Sequence, residues 1–512
     1  MSAVEMALEA SERAAEEDME TMIEGNRVLG ANAMVLSVAP VLFGLYLVVP
    51  ETAAWATGFA TLMYAVLRLV RVVRRSVGQV EHGRPWIGDE EYRIKRRAAA
   101  APVALCDVKP VVCIVGAGPA GLSMASQLHA RSIPYVVLEA SDVAGSSWGS
   151  RYDRLHLHTI KSISALPNFP FPDYFPEYVS AKDLQQYYAA CASQLNVKYN
   201  SKVIRVSFVK ANEKPPWQLE LPREQRERWI VEIEGGETFP DIAALVVCTG
   251  QEGTPFSPEI EGASTFSGEI LHSSEFKNGA KWKGKDVLVV GFGNSGSEIA
   301  LDLWEHGAKT TCLIRSPVHM MPRWLTRIFG HVYSVLWWLM RKDDPKNTDM
   351  LIKNVVYPLL YKGSAKHHIH MSKSGMLTDL LDLHRAPVQD LGTYELIASE
   401  QIKVTPHEIQ KFDSSGVLFA NGGGSSPFDC VVFATGFKKG ASPYTGFLPD
   451  RICRAIVDKN GVVHSGEEVA CQKRLYFVGF DDFMGRLFEI NLETDSICDD
   501  ILDKNYVAGM AR

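Results

Sequence analysis

Two short glycine patterns hold most of the chemistry open to this chain. Gly116, Gly118 and Gly121 in GAGPAG, and Gly291, Gly293 and Gly296 in GFGNSG, each follow an apolar run and open a helix-like stretch. The first glycine permits a tight turn, the second lets a pyrophosphate approach bare backbone, and the third lets helix pack on strand. Pro119 with Ala120, and Asn294 with Ser295, then start helices whose free N–H groups face the phosphates. The end of the next strand separates the two patterns. Glu139 stands 23 positions after Gly116, where a carboxylate accepts hydrogen bonds from both ribose hydroxyls. Arg315 stands 24 positions after Gly291 with Ser316 beside it, where a cation pairs with a 2′-phosphate through a charge-assisted fork. The spacing therefore predicts two different dinucleotides, the second of them NADPH.

Composition bounds what else the chain can be. Its 512 residues, 46% hydrophobic and 22% charged, have room for two domains and a large core. A net charge of −7, with no basic stripe interleaved with aromatics, excludes nucleic acid as an expected partner. Nine cysteines without a C-x-x-C pair argue against a disulfide framework, a zinc ribbon or a thioredoxin-type couple, and fit a reducing compartment. Neither Tyr152, His156 and His158 nor His367, His368 and His370 have metal-ligand spacing, so no metal is expected.

The elements that must position these residues follow in order. Residues 1–30 are acidic and helix-prone, a solvated face. Within 31–75, Ala31 to Val49 and Ala53 to Val70 approach the roughly 20 residues of a spanning helix and are separated by Pro50, Glu51 and Thr52. They predict a membrane hairpin; two buried helices or one in-plane anchor are the alternatives. Arg71, Arg74 and Arg75 after the second span put the downstream part in the cytosol. Residues 76–109 are a linker. The expected fold is α/β with two Rossmann-like domains: 110–250 begins the first, 251–436 is an inserted second domain with an apolar segment at 324–372, and 437–512 returns to the first. A helix is predicted over 181–197, and Thr249 with Gly250 marks the crossing between folds. The aromatic run 324–340 reads as core, as a lid, or as an in-plane membrane contact.

FSGEILHSSEFK fits the pattern F-x-G-x-x-x-H-x-x-x-[YF] through Phe266, Gly268, His272 and Phe276, just before the second glycine turn. With CTG at Cys248 to Gly250 and ATGF at Ala434 to Phe437, the chain over 110–500 resembles the flavin-containing monooxygenases, and within them the plant YUCCA-like branch. Phe276-Lys277 in place of Trp-Pro sets it apart from the Baeyer–Villiger enzymes. The resemblance implies that Gly116, Gly118, Gly121 and Glu139, with Gly145 and Trp148, hold FAD, and that Gly479 touches the flavin from the returning part of the fold. It implies that Gly291, Gly293, Gly296 and Arg315, with Ser316 beside it, hold NADPH, and that Thr249, Gly250, Thr435 and Gly436, in the two linker motifs between the domains, bind cofactor. His158 falls where many N-oxygenating members have asparagine and is the candidate catalytic residue. The implied reaction takes one oxygen atom from O2, through a flavin C4a-hydroperoxide, to a nucleophilic N or S of a small lipophilic substrate. Oxidative decarboxylation of a 2-oxo acid such as indole-3-pyruvate is the alternative, and peroxide production or membrane redox sensing are readings of another class. The expected location is a membrane, the endoplasmic reticulum in particular, with the catalytic domain facing the cytosol.

Overall fold

The computed structural model describes residues 109–209, 227–250, 252–331, 346, 349–350, 352–383, 386–438, 446–457, 463, 465–480 and 486–504. The acidic segment, the predicted membrane hairpin, nearly all of the linker and residues 332–340 lie outside these. Among the described residues no helix is long and apolar enough to cross a membrane. The chain divides into two compact units, Met1–Arg93 and Ile94–Arg512, and the fold below is that of the second.

The first fold starts with β1 (Val112–Val115), α1 (Pro119–Ala130) and β2 (Tyr135–Leu138). Every residue of both strands is buried, which is why they read as unbroken apolar runs: helices and loops cover both faces of a parallel sheet. Proline in the first turn of α1 suits a helix start, where its missing N–H costs nothing. Next comes α2 (Ala181–Ala192), capped by Ser180, whose side chain accepts from the Asp183 N–H. This helix stops before the predicted residue 197. Asn196 Nδ2 donates to Tyr135 O at 2.6 Å, and Val197–Lys198 pairs with β2 as edge strand β3. β4 (Ala244–Val247) completes this part. Before it, Val203–Val209, Arg228–Ile233 and Thr238–Ile242 form an antiparallel side sheet.

The second fold follows with β5 (Glu269–His272), β6 (Asp286–Val290), α3 (Asn294–Glu305), β7 (Lys309–Leu313), β8 (Lys403–Thr405) and β9 (Cys430–Phe433). The chain then returns to the first sheet with β10 (Leu475–Phe477) and ends its described part in α4 (Arg486–Asp503), which packs on α1. The sheet orders are β10-β4-β1-β2-β3 and β8-β7-β6-β9-β5, with all pairings parallel. In both, the strand feeding the glycine turn is central, with the next strand on one side and a much later strand on the other. Apolar clusters cover the two faces of each sheet. Ile352, Tyr357, Tyr361 and Ile369, from the apolar segment 324–372, lie in the second core. Of the run 324–340, the part up to His331 belongs to a helix, Arg323–His331.

Candidate functional site

The two glycine turns are built alike. A Cβ on Gly121 would stand 1.8 Å from Gly116 O, and one on Gly296 2.1 Å from Gly291 O, so helix and strand touch through bare backbone at both places. Gly116, at φ 103°, passes under the chain leaving β4: its Cβ would meet Cys248 O at 2.7 Å. Gly291, at φ 101°, passes under the chain leaving β9, with Ala434 O at 2.6 Å. The Cys-Thr-Gly and Ala-Thr-Gly motifs thus cross the mouths of the first and second turns. Gly118 and Gly293 face open space, with nothing within 4 Å of a Cβ, as a pyrophosphate approach requires. The Thr249 hydroxyl oxygen is buried with no hydrogen-bond partner among the described residues. A buried hydroxyl without a partner is costly, and a polar cofactor laid over the first turn would satisfy it. Thr435 is engaged instead, its hydroxyl donating to Phe256 O.

The two strand-end residues stand in different settings. Glu139 is 9% exposed; its Oε2 accepts from Ala117 N at 2.6 Å and its Oε1 from Ser141 N and Oγ at 2.9 and 2.6 Å. Arg315 is exposed, with Ser316 beside it, and forms an ion pair with Glu408 at 2.6 Å. Gly145 donates its N–H to Ala117 O at 3.0 Å and lies against the Tyr188 ring, while Trp148 packs half-buried on the first core. Gly479, just past β10, would meet Ala120 at 3.2 Å through a Cβ, so it too borders the first turn beside Pro119 and Ala120. Asn294 is spoken for by protein: its Oδ1 accepts from Gln389 N at 2.7 Å and its Nδ2 donates to Pro387 O at 3.3 Å.

The FSGEILHSSEFK stretch grips the connection by which the chain leaves the second fold. His272 Nε2 donates to Gly436 O at 2.9 Å, and because Nδ1 accepts from Ser274 N at 3.1 Å the ring carries its proton on Nε2. Burial pushes the His272 imidazolium below its ordinary range, consistent with this neutral form. Gly436 O also accepts from Phe256 N at 2.9 Å, and Lys438 N donates to Thr254 O at 2.8 Å, so the two connections between the folds run side by side as a short antiparallel ribbon. Phe437 is gripped by the His272 ring edge at 5.4 Å and by Arg151 at 5.2 Å. Phe266 packs on Phe412 at 5.1 Å, and Phe276 stacks on Trp282 at 5.5 Å.

A second tie was not foreseen from sequence. Residues 150–158 leave the first fold and lie as a strap on the second. Lys277 Nζ reaches Ser150 O, Lys277 O accepts from Asp153 N at 2.9 Å, Asn278 Nδ2 donates to Asp153 Oδ2 at 2.6 Å, and Arg154 pairs with Glu305. Tyr152 is a member of the second core. Burial, then the neighbouring Glu298 carboxylate, hold its hydroxyl protonated well above the ordinary range. His158 Nε2 meets Glu298 Oε1 at 2.6 Å, and His158 O accepts from Gln389 Nε2 at 2.6 Å. Burial lowers the pKa of His156 as well. The strap rejoins the first fold where Leu157 N donates to Val179 O and Ala181 N to Leu155 O, both at 2.8 Å. The one signal of this contact in the sequence is Glu298, which with Asp302 is one of two buried carboxylates one turn apart on α3.

Two parallel sheets, each with a glycine turn crossed by a Thr-Gly connection, define a protein with two dinucleotide-binding folds. The chain belongs to the FMO-like family, described as flavin-binding monooxygenase-like, which it matches over residues 109–460. It is 35% identical over 443 residues to the indole-3-pyruvate monooxygenase YUCCA4 of Oryza sativa subsp. japonica, covering 83% of this chain and 96% of that relative. Among solved structures, a flavin-containing monooxygenase from Stenotrophomonas maltophilia shares the fold with a TM-score of 0.54 at 20% identity, over 77% of this chain and 98% of that one. OTEMO in complex with FAD and NADP shares it with a TM-score of 0.53 at 16% identity, over 77% and 84%. The protein is an FAD- and NADPH-dependent monooxygenase related to the YUCCA branch.

Proposed function

We propose that this monooxygenase works at the cytosolic face of a membrane on a small, lipophilic substrate, and that an aromatic 2-oxo acid is the first substrate to test. The observation that carries the 2-oxo acid is the likeness to the rice enzyme named for indole-3-pyruvate, which runs over 96% of that enzyme. A neutral amine or thioether is the second reading. Arg154 and His158 already face the carboxylates of Glu305 and Glu298 and His156 is held neutral by burial, so these three side chains do not demand an anion.

In this reading Gly116, Gly118, Pro119, Ala120, Gly121, Glu139, Gly145, Trp148, Thr249, Gly250 and Gly479 hold FAD. Gly291, Gly293, Asn294, Ser295, Gly296, Arg315, Ser316, Thr435 and Gly436 hold NADPH, with Asn294 setting the turn from behind through Gln389. The bound flavin supplies reduction by NADPH and activation of O2. The chain's own work is to orient the two nucleotides and keep water out. Glu139 grips a ribose, Arg315 selects the 2′-phosphate, and the strap ties the two folds together. His158 faces the substrate. Residues 31–75 attach the enzyme to the membrane, the endoplasmic reticulum being the membrane to examine first.

Purified full-length protein with NADPH and O2 is offered indole-3-pyruvate, a tertiary amine and a thioether, and oxygenated product is measured against NADPH consumed. Product from the 2-oxo acid supports the first reading and product from the others the second. Hydrogen peroxide equal to NADPH with every substrate overturns both.

A further inference from the structure

Glu298 is a carboxylate where packing alone asks for none. It lies one turn into α3, is 1% exposed, and its neighbours Ile299, Ala300 and Leu301 are buried apolar residues. An apolar side chain of equal volume would fill the space without the desolvation a buried carboxylate suffers. One of its oxygens meets His158 Nε2 at 2.6 Å, and the protonated Tyr152 hydroxyl also lies beside the carboxylate. The His158 backbone does not depend on this contact. Gln389 Nε2 already holds His158 O at 2.6 Å, and Gln389 N is itself tied to Asn294 at 2.7 Å. What Glu298 adds is the direction of the ring. With Nε2 committed to the carboxylate, Nδ1 has no hydrogen-bond partner among the described residues, and the side chain is 31% exposed.

We propose that Glu298 is a positioning residue for oxygenation: it holds the His158 ring by Nε2 so that Nδ1 is the atom presented to the substrate. This rests on the reading above that His158 faces the substrate. A histidine free to swing about its χ angles would meet the substrate in several orientations, and activated oxygen would be lost as peroxide before transfer.

The test uses the full-length holoenzyme with Glu298→Met, Glu298→Gln, His158→Asn and the double variant Glu298→Met/His158→Asn. Indole-3-pyruvate is titrated into the oxidised protein without NADPH, so that binding is read without turnover. Peroxide per NADPH is then measured with whichever substrate the panel identifies. Glu298→Met is expected to weaken substrate binding and raise the peroxide yield by about tenfold each, the scale of one charge-assisted hydrogen bond. Glu298→Gln, which keeps an acceptor oxygen, restores most of both. In the His158→Asn background Glu298→Met adds nothing, whereas additive effects overturn the proposal. An equal loss of NADP+ affinity assigns Glu298 to the nucleotide turn and also overturns it. If no 2-oxo acid binds, the substrate reading fails by itself. The pair is then judged from protein labelled with 15N in its histidine rings: a shift of the His158 Nε2 resonance on Glu298→Met upholds the contact, and an unmoved resonance refutes it.

Discussion

Arg315 holds Glu408 at 2.6 Å at the strand end of the second nucleotide fold, with the two side chains 65% and 54% exposed. A pair so exposed contributes under about 1 kcal/mol, so a doubly charged phosphate can take the arginine from the carboxylate. Glu408→Gln, which removes the competitor, should lower KM for NADPH about threefold and leave NADH unaffected. Arg315→Ala should raise KM for NADPH by about tenfold or more with little change for NADH. Equal effects on the two nucleotides would refute the role of this pair in choosing the 2′-phosphate.

The glycines divide into those that touch protein and those that leave room. Gly121→Ala drives a methyl to 1.8 Å from Gly116 O, and the helix must move away from the strand. Lost stability should then show as a thermal midpoint several degrees lower. Gly118→Ala meets nothing within 4 Å and should leave the midpoint of the cofactor-free protein unchanged while abolishing the yellow colour of bound flavin. A yellow Gly118→Ala protein would place the pyrophosphate elsewhere.

His156 and His272 are both shifted below the ordinary histidine value of 6.5, by burial in each case. The unfolded chain therefore binds protons more readily than the folded one. This contribution to stability is complete above pH 6.5 and lost as pH falls through the lowered values. Unfolding midpoints measured from about pH 7.5 down to about pH 5 should fall, and His272→Asn should flatten the decline while lowering the midpoint at neutral pH. An unchanged slope would mean that the ring gains its proton without leaving Gly436.

Membrane attachment through 31–75 predicts that the full chain sediments with membranes and resists alkaline carbonate extraction. A chain beginning at Ile94, where the second compact unit begins, should stay in the supernatant. Release of the full chain by carbonate favours an in-plane anchor over a spanning hairpin.

What the sequence revealed and what it hid have separate physical causes. The glycine turns, Glu139 and Arg315 were legible because each is a local requirement: strand, turn, helix and the next strand end lie within about 25 consecutive residues. The end of α2 at Ala192 was not, because Asn196 is drawn away by Tyr135 O, a partner far back in the chain. The strap was hidden for the same reason. Nothing in residues 150–158 announces that Tyr152 belongs to the core of the other fold, or that Arg154 and His158 will find Glu305 and Glu298 about 150 and 140 residues away. The FSGEILHSSEFK stretch was recognisable as a pattern, yet its meaning as a clamp on Gly436 needed coordinates.

The return of β10 to the first sheet sets an order of assembly during synthesis. When Ala244–Val247 leaves the ribosome, the first sheet still lacks its edge strand, Leu475–Phe477, and the helix Arg486–Asp503 that covers α1. The strap meanwhile has no surface to lie on until Lys277 and Glu305 have been made. The fold begun first is therefore finished last, after the inserted one stands complete. Flavin loading becomes a late event on a nearly full-length chain, and a nascent chain stalled in between exposes apolar sheet faces that invite chaperones or aggregation.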